Sequence, residues 1–278
     1  MSGHAVIKVW RALFAAAIVL SAFALTACAG DSKELPYVER PVEGLYNEAV
    51  KQLDRENWAE AAKMFDEVER QHPYSSWARR AMLMSAFCNY QANKYDQAIL
   101  SAERFIVLHP GNKDVAYAYY LKAISLYEQI TDVGRDQRTT QLALASLNEV
   151  VQRFPDSEYA RDARLKIDLT RDHLAGKEMA IGRYYMQRQQ FVAAINRFRT
   201  VLENFQTTTH TPEALHRLTE CYLAMGLTKE AQTSAAVLGY NFPGSEWYEE
   251  SYALLAGQNL APEQDEGSWI SKAFSSVF

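Results

Sequence analysis

Three thiols and six imidazoles are the side chains of this 278-residue chain best able to bind a metal or act as nucleophiles. His210, His216 and Cys221 fall close together in HTPEALHRLTEC. Their spacing matches no usual zinc pattern, and a helix would point His216 and Cys221 in different directions. His72 and His109 each stand directly before a proline, which suits a helix C-terminus whose dipole favours a cation. The serines come with no GxSxG elbow, SxxK pair or glycine-rich phosphate loop. Neither a metal site nor an enzyme is expected. Cys88 and Cys221 lie inside helical apolar patterns and read as small buried hydrophobes rather than as a disulfide. That leaves Cys28.

Cys28 ends the stretch Leu25-Thr26-Ala27-Cys28, which follows cations at Lys8 and Arg11 and an apolar run from Ala12 to Leu25. Cations, an apolar run and small residues are the three parts of an export signal. The run is about 14 residues where a membrane helix needs about 20, so it is too short to anchor the chain. Leu-Thr-Ala-Cys resembles the lipobox of bacterial lipoproteins, in which the cysteine thiol receives a diacylglycerol and cleavage follows before it. An ordinary secretory signal with an incidental cysteine is the alternative. On the lipobox reading residues 1–27 are removed, and Cys28 carries several acyl chains, each buried methylene contributing about 0.8 kcal/mol to anchoring. Ala29 in place of aspartate after the cysteine resembles Gram-negative lipoproteins released to the outer membrane. No cofactor is implied beyond this covalent lipid on Cys28.

A polar stretch with Pro36 and Pro41 follows, and residues 28–43 read as a tether. Beyond it Gly and Pro are scarce and apolar residues recur at three and four, so the chain is expected to be all-α. Pro73, Pro110, Pro155 and Pro243 punctuate the pattern, and an alanine stands twelve residues before each, at Ala61, Ala98, Ala143 and Ala231. Ala194 holds the same place before Gln206, where a proline is missing. Four and seven residues after these alanines come Phe65 and Val68, Ala102 and Phe105, Leu147 and Val150, Phe198 and Val201, and Ala235 and Leu238. Ala49, Ala86, Gly182 and Thr219 stand twelve residues before their alanines.

This pattern resembles the tetratricopeptide (TPR) repeat, a helix-turn-helix unit of about 34 residues. Small residues let paired helices approach, bulky ones fill the gap beside them, and proline ends the second helix because it has no N–H to donate. The expected fold is a TPR solenoid of about five repeats over residues 44–256, with a C-terminal helical extension. Its middle is stretched. Thr131–Gln141 reads as a long polar loop inside the third unit, and SEYARDARLKIDLTRDHLAG as added helix running into the fourth.

A solenoid offers surfaces for gripping other proteins rather than a deep reactive pocket. Net charge is −5 and no nucleic-acid motif appears, so nucleic acid is not an expected partner. Charge is uneven, however. From Tyr159 to Arg199 nine Lys or Arg face four acids. Two readings stand: a solvated helix face, or a docking face for an acidic partner. Residues 257–278 form a linker and a segment, SWISKAFSSVF, in which Trp269, Ile270, Ala273, Phe274, Val277 and Phe278 make one apolar stripe. The stripe could fold back on the solenoid, fill a partner's groove or lie in a membrane interface.

The lipobox, tether and five repeats together resemble the BamD family of outer-membrane lipoproteins, some of which are called competence lipoproteins. ENWAEAA, AERFIVLHPGN, RDQ in the third-unit loop, LNEVVQRFPDSEYARDA, Tyr184-Tyr185 and Asn196-Arg197 carry the likeness, over about Leu45 to Leu238. The resemblance implies a non-enzymatic scaffold of the β-barrel assembly (BAM) complex, lipid-anchored on the periplasmic side of the outer membrane. It implies as partners a POTRA domain of BamA, other Bam subunits and unfolded outer membrane protein precursors. The arginine that couples to BamA in the family corresponds to Arg197, and Arg188 precedes it on the neighbouring helix. The missing proline at Gln206 and the tail from Ser245 depart from the family pattern. A rival reading is another periplasmic TPR lipoprotein, acting in cell-wall coordination or DNA uptake.

Overall fold

In the computed structural model, residues 40–275 are described, and they form twelve helices with no strand among them. Five pairs follow in chain order: α1 (Val42–Asp54) with α2 (Trp58–Gln71), α3 (Ser76–Gln91) with α4 (Tyr95–Leu108), and α5 (Val115–Tyr127) with α6 (Arg138–Arg153). Then come α7 (Glu158–Gln187) with α8 (Phe191–Asn204), and α9 (Thr211–Ala224) with α10 (Thr228–Asn241). Two further helices, α11 (Glu246–Ala256) and α12 (Trp269–Ser275), complete the described chain. Helix α1 opens at Val42 behind Pro41, so the expected tether is already helical in its last two residues. Residues 28–39 of the tether, Cys28 among them, lie outside the described residues.

The repeat slots are where the helices touch. Ala61, Ala98, Ala143, Ala194 and Ala231 are all fully buried, as are Phe65, Val68, Ala102, Leu147, Val150, Phe198, Val201, Ala235 and Leu238. The close-contact residues of the first helices, Ala49, Ala86, Gly182 and Thr219, are buried as well. At Gly182 the approach is so close that a β-carbon would run into the Phe198 ring.

The turn inside a pair also repeats. Glu56 (φ 58°) and Asn93 (φ 56°) are 37 residues apart, as are Gln189 (φ 59°) and Gly226 (φ 74°). Each takes the left-handed conformation that ends a helix. The next amide then donates back into the last turn, Asn57 to the Gln52 carbonyl at 2.9 Å and Leu227 to the Tyr222 carbonyl at 2.9 Å. Asn259 (φ 59°) does the same after α11, with Leu260 donating to the Leu255 carbonyl at 2.9 Å. Helix α11 is therefore built as the first helix of a sixth repeat, begun but not completed. Between pairs, Ser75, Ser157 and Ser245, each two residues after a repeat proline, cap the following helix through their hydroxyls.

The third unit lacks the tight turn. Its loop runs over residues 128–137 rather than Thr131–Gln141, because the first helix ends at Tyr127 and Arg138 to Gln141 already belong to α6. Gln137 closes the loop: its amide donates to the carbonyls of Arg135 (3.0 Å), Asp132 and Val133 (both 3.4 Å), and its oxygen accepts from the Thr140 hydroxyl at 2.9 Å. The polar residues that read as loop are here a helix start. As the sequence suggests, the added stretch and the fourth unit's first helix are one 30-residue rod, α7. Its Ala163 and Ile167 pack with α5 and α6, and its Ala175 and Met179 with α8 and α9.

The tail folds back. Ile270 and Phe274 are buried in the cluster formed by α7 to α11, with Trp269 and Ala273 packed against it. The linker is strapped along α10, where Gln232 donates to the Ala261 carbonyl at 2.7 Å and the Asp265 amide donates to the Thr233 hydroxyl at 3.3 Å. Val277 and Phe278 lie outside the described residues.

Candidate docking surface

Arg188 is the C-cap of α7, exposed, with its guanidinium 4.4 Å from the ring centre of Tyr184 one turn earlier. Val192, at the start of α8, is 62% exposed and Tyr184 48%. An aromatic ring, a cation stacked on it and a bare aliphatic side chain, all on one helix junction, make the type of anchor that protein interfaces favour.

Arg197 lies further along α8, half-exposed, and donates to Glu178 Oε2 on α7 at 3.1 Å. Glu178 also lines a groove of about 520 Å³ between α7, α8 and the third-unit loop, with Arg135, Asp136, Lys177 and Asn204 around it. The loop is held over the groove by Lys177, whose ammonium donates to the Gly134 carbonyl at 3.0 Å. The enlarged middle of the repeat array thus builds one wall of the surface beside Arg197. Arg188 and Arg197 sit at different points of the α7–α8 pair, and no contact among the described residues joins them.

Most of the basic stretch is engaged within the molecule. Arg183 grips Glu213 of α9 with two bonds of 2.8 and 2.9 Å, Arg199 pairs with Glu203, and Lys166 pairs with Asp162. Arg164 donates to the Pro155 carbonyl and Arg171 to that of Asn204. Glu213 and Glu203 lie outside the Tyr159–Arg199 window, so the charge count over that window alone could not see them. Arg161 and Arg188 are the cations of the stretch whose side chains make no ion pair or hydrogen bond among the described residues.

The residues weighed for metal or nucleophilic chemistry are placed structurally. His216 is buried against α11, sharing a 2.9 Å hydrogen bond with the Ser251 hydroxyl and facing Trp247 at 5.3 Å between ring centres. Burial pushes its pKa down, against the pull of Glu220 and Glu250, 3.6 and 3.3 Å from Nε2. His210 lies apart, its Nε2 3.7 Å from Asp172. Cys88 and Cys221 are free, buried thiols pushed up to about 12, chiefly by burial. His72 and His109 are helix C-caps. At His109 the expected cation is not favoured, since burial and the nearby Arg79 lower its pKa. No group of three or more His, Cys, Asp or Glu among the described residues could hold a metal ion.

Residues 38–238 match the family described as YfiO, outer membrane lipoprotein. The outer membrane protein assembly factor BamD of Caulobacter vibrioides is 57% identical over 248 residues, covering 88% of this chain and 81% of that protein. The chain belongs to the BamD family. Another member, BamD of Rickettsia prowazekii, is 47% identical over 77% of this chain and 86% of its own length. BamD of Neisseria meningitidis is 34% identical over 73% and 80%. A solved TPR protein of Thermus thermophilus aligns over 78% of this chain and all of its own, at 16% identity and a TM-score of 0.36. The repeat architecture therefore rests on this chain's own paired helices and buried alanines. Every BamD-family relative named here is an outer membrane protein assembly factor, and the BamD match runs through α7 and α8, so the Tyr184–Arg188 and Arg197 surface lies inside it.

Proposed function

We propose that this chain is a non-enzymatic scaffold of the BAM complex, held by lipid on Cys28 at the periplasmic face of the outer membrane. Its C-terminal repeats dock the POTRA domain of BamA, and its N-terminal repeats receive unfolded outer membrane protein precursors. The observation that carries the docking half is Arg188 stacked on an exposed Tyr184, with Arg197 beside the groove walled by the third-unit loop. Arg197 is held by a single, partly exposed carboxylate, so a partner carboxylate can replace Glu178 at small cost, surface pairs contributing about 1 kcal/mol or less.

The receiving half is supported by a strip of tyrosines on the first helices α3, α5 and α7. Tyr117 and Tyr120 stand 5.4 and 5.2 Å from Tyr159, ring centre to ring centre. Their neighbour Tyr90 donates to Glu128 at 3.3 Å, and Tyr120 donates to Asp162 at 2.6 Å. Half-buried rings with polar tips suit an extended segment whose side chains alternate between apolar and polar. Lipid on Cys28 supplies the attachment in this reading; among the described residues no helix is long and apolar enough to cross a membrane.

The decisive measurement is capture of BamA by the full chain. The double variant Arg188→Glu/Arg197→Glu should lose it while melting at the unaltered temperature. Undiminished capture by that folded variant removes this docking face.

A further inference from the structure

The N-terminal repeats carry a second groove, of about 600 Å³, floored by Tyr46, Trp77, Leu83, Met84 and Phe105. Arg79, Arg80 and Lys113 line it and are exposed, and none makes an ion pair among the described residues. Arg80 stands 6.0 Å over the Trp77 ring. By contrast, Arg104 on α4 is bonded to Glu69 and Arg70 to Glu67. The acid among the lining residues is Asp114.

Within four residues of the lining positions stand three bare apolar side chains, Tyr74 at 101% exposure, Val107 at 76% and Leu108 at 56%. Their position follows from topology. Helices α1 to α5 are joined by connections of three to six residues, so neighbours run antiparallel. The starts of α1, α3 and α5 and the ends of α2 and α4 therefore share one edge. That edge carries the groove cations, Tyr74, Val107, Leu108 and Val42, where the chain enters from its N-terminal tether.

We propose that this edge rests on an anionic phospholipid surface, with Arg79, Arg80 and Lys113 on the phosphates and Tyr74, Trp77, Val107 and Leu108 at headgroup depth. The inference rests on the reading that Cys28 is lipidated, which says where the membrane is. Residues 28 to 40 span at most about 45 Å however they are arranged, and they end on this edge. Cations, amphipathic rings and bare aliphatic groups around one attachment point are the chemistry of an interfacial contact, and lipid chains with a basic patch bind a membrane better than either alone. An extended peptide fits less well. It would fill the groove but leave Tyr74, Val107 and Leu108 uncovered, since these stand on the turn and helix end beside it.

The test uses the chain from residue 28 with Cys28→Ser, unlipidated; all the core clusters lie between Val42 and Phe274, so it keeps them. It should float with vesicles of phosphatidylcholine mixed with phosphatidylglycerol, and much less with phosphatidylcholine alone. Arg79→Gln/Arg80→Gln/Lys113→Gln should lower partitioning to the anionic vesicles about a hundredfold, each cation contributing about fivefold, with an unchanged melting temperature. Tyr74→Ser/Leu108→Ser should lower partitioning to both. No flotation, or equal flotation of the triple variant, overturns the proposal. So does a peptide with a terminal aromatic residue and free carboxylate that binds the groove while vesicles do not. The anchor is judged separately, from the mass of the Cys28 peptide in full chain purified from membranes: an unacylated Cys28 removes the anchor reading, and the vesicle result stands or falls without it.

Discussion

Gln206 donates its side-chain amide to the main-chain carbonyl of Ala273 at 2.9 Å, tying the end of the fourth repeat to the last described helix. Gln206 occupies the slot that proline fills in the other four repeats. Proline there would have no side-chain donor, so the departure from the repeat pattern and the docked tail are one feature. Beside it, the Trp269 indole N–H donates to the Tyr222 hydroxyl at 3.2 Å, and Arg199 stacks over the same indole at 4.7 Å. Ile270 and Phe274 fill the apolar space between them.

The tail should therefore contribute to folding. Ile270→Ala, at a fully buried position, should cost about 2 to 4 kcal/mol, read by denaturant unfolding. Gln206→Ala should cost about 1 kcal/mol, the net value of one hydrogen bond. Deletion of residues 258–278 should lower the melting temperature more than either. A tail deletion that melts with the full chain would mean that α12 adds nothing to the fold.

Close helix approach makes a second prediction, with an internal control. Gly182→Ala would drive a β-carbon into Phe198 where both are buried, and overpacking of about 1 to 3 kcal/mol exceeds the roughly 1 kcal/mol of helix propensity gained. Gly176→Ala on the same helix meets only the His210 ring, at 3.0 Å, and a side chain can move aside. The first variant should be less stable than the parent and the second equal or better. Ala98→Leu and Ala194→Leu, at the paired slots, should each cost about 1 to 3 kcal/mol. Equal stability across this set would put the helix pairs in the wrong register.

How the sequence announces some of this and hides the rest follows from the range of each interaction. Alanine slots, prolines and the serine caps act within a turn or between adjacent helices, so their spacing is written locally and the repeats could be placed residue by residue. The apolar stripe of the tail told which side chains are buried but not against what, because its receptors Gln206, Tyr222 and Arg199 are 47 to 70 residues away. The partners of the basic stretch are hidden for the same reason. Arg183 and Arg199 are paired with Glu213 and Glu203, and Arg171 donates to the Asn204 carbonyl, none of which a window of composition reaches. Arg197 came from family likeness alone; no local pattern distinguishes it from Arg199, and the structure sets them apart through Glu178 and Trp269.

Buried thiols give a third prediction. With Cys28→Ser, Cys88 and Cys221 are the remaining cysteines, both pushed up to about 12 and fully buried. The thiolate is the reactive form, so alkylation near neutral pH should be negligible in the folded chain and complete once denaturant is added. Rapid native alkylation of either would place it outside the helix contacts described above.

His216 makes stability depend on pH, and the sign follows from its surroundings. Burial between α9 and α11 disfavours the imidazolium, Arg217 adds to this, and Glu213, Glu220 and Glu250 oppose it without reversing it. The folded pKa is thus below that of the unfolded chain, about 6.5. Between the two values the unfolded state holds more protons, so stability is highest above pH 6.5 and falls as pH drops through the unfolded value toward the folded one. His109, also lowered, acts in the same direction. Denaturant unfolding from about pH 7.5 to about pH 5.5 should show the decline, and His216→Gln, which can still bond the Ser251 hydroxyl, should flatten it more than His109→Gln, because His216 is far more deeply enclosed. A parent chain that gains stability on acidification over this range, with the gain lost in His216→Gln, would mean that Glu220 and Glu250 outweigh burial and that His216 joins α9 to α11 as a cation.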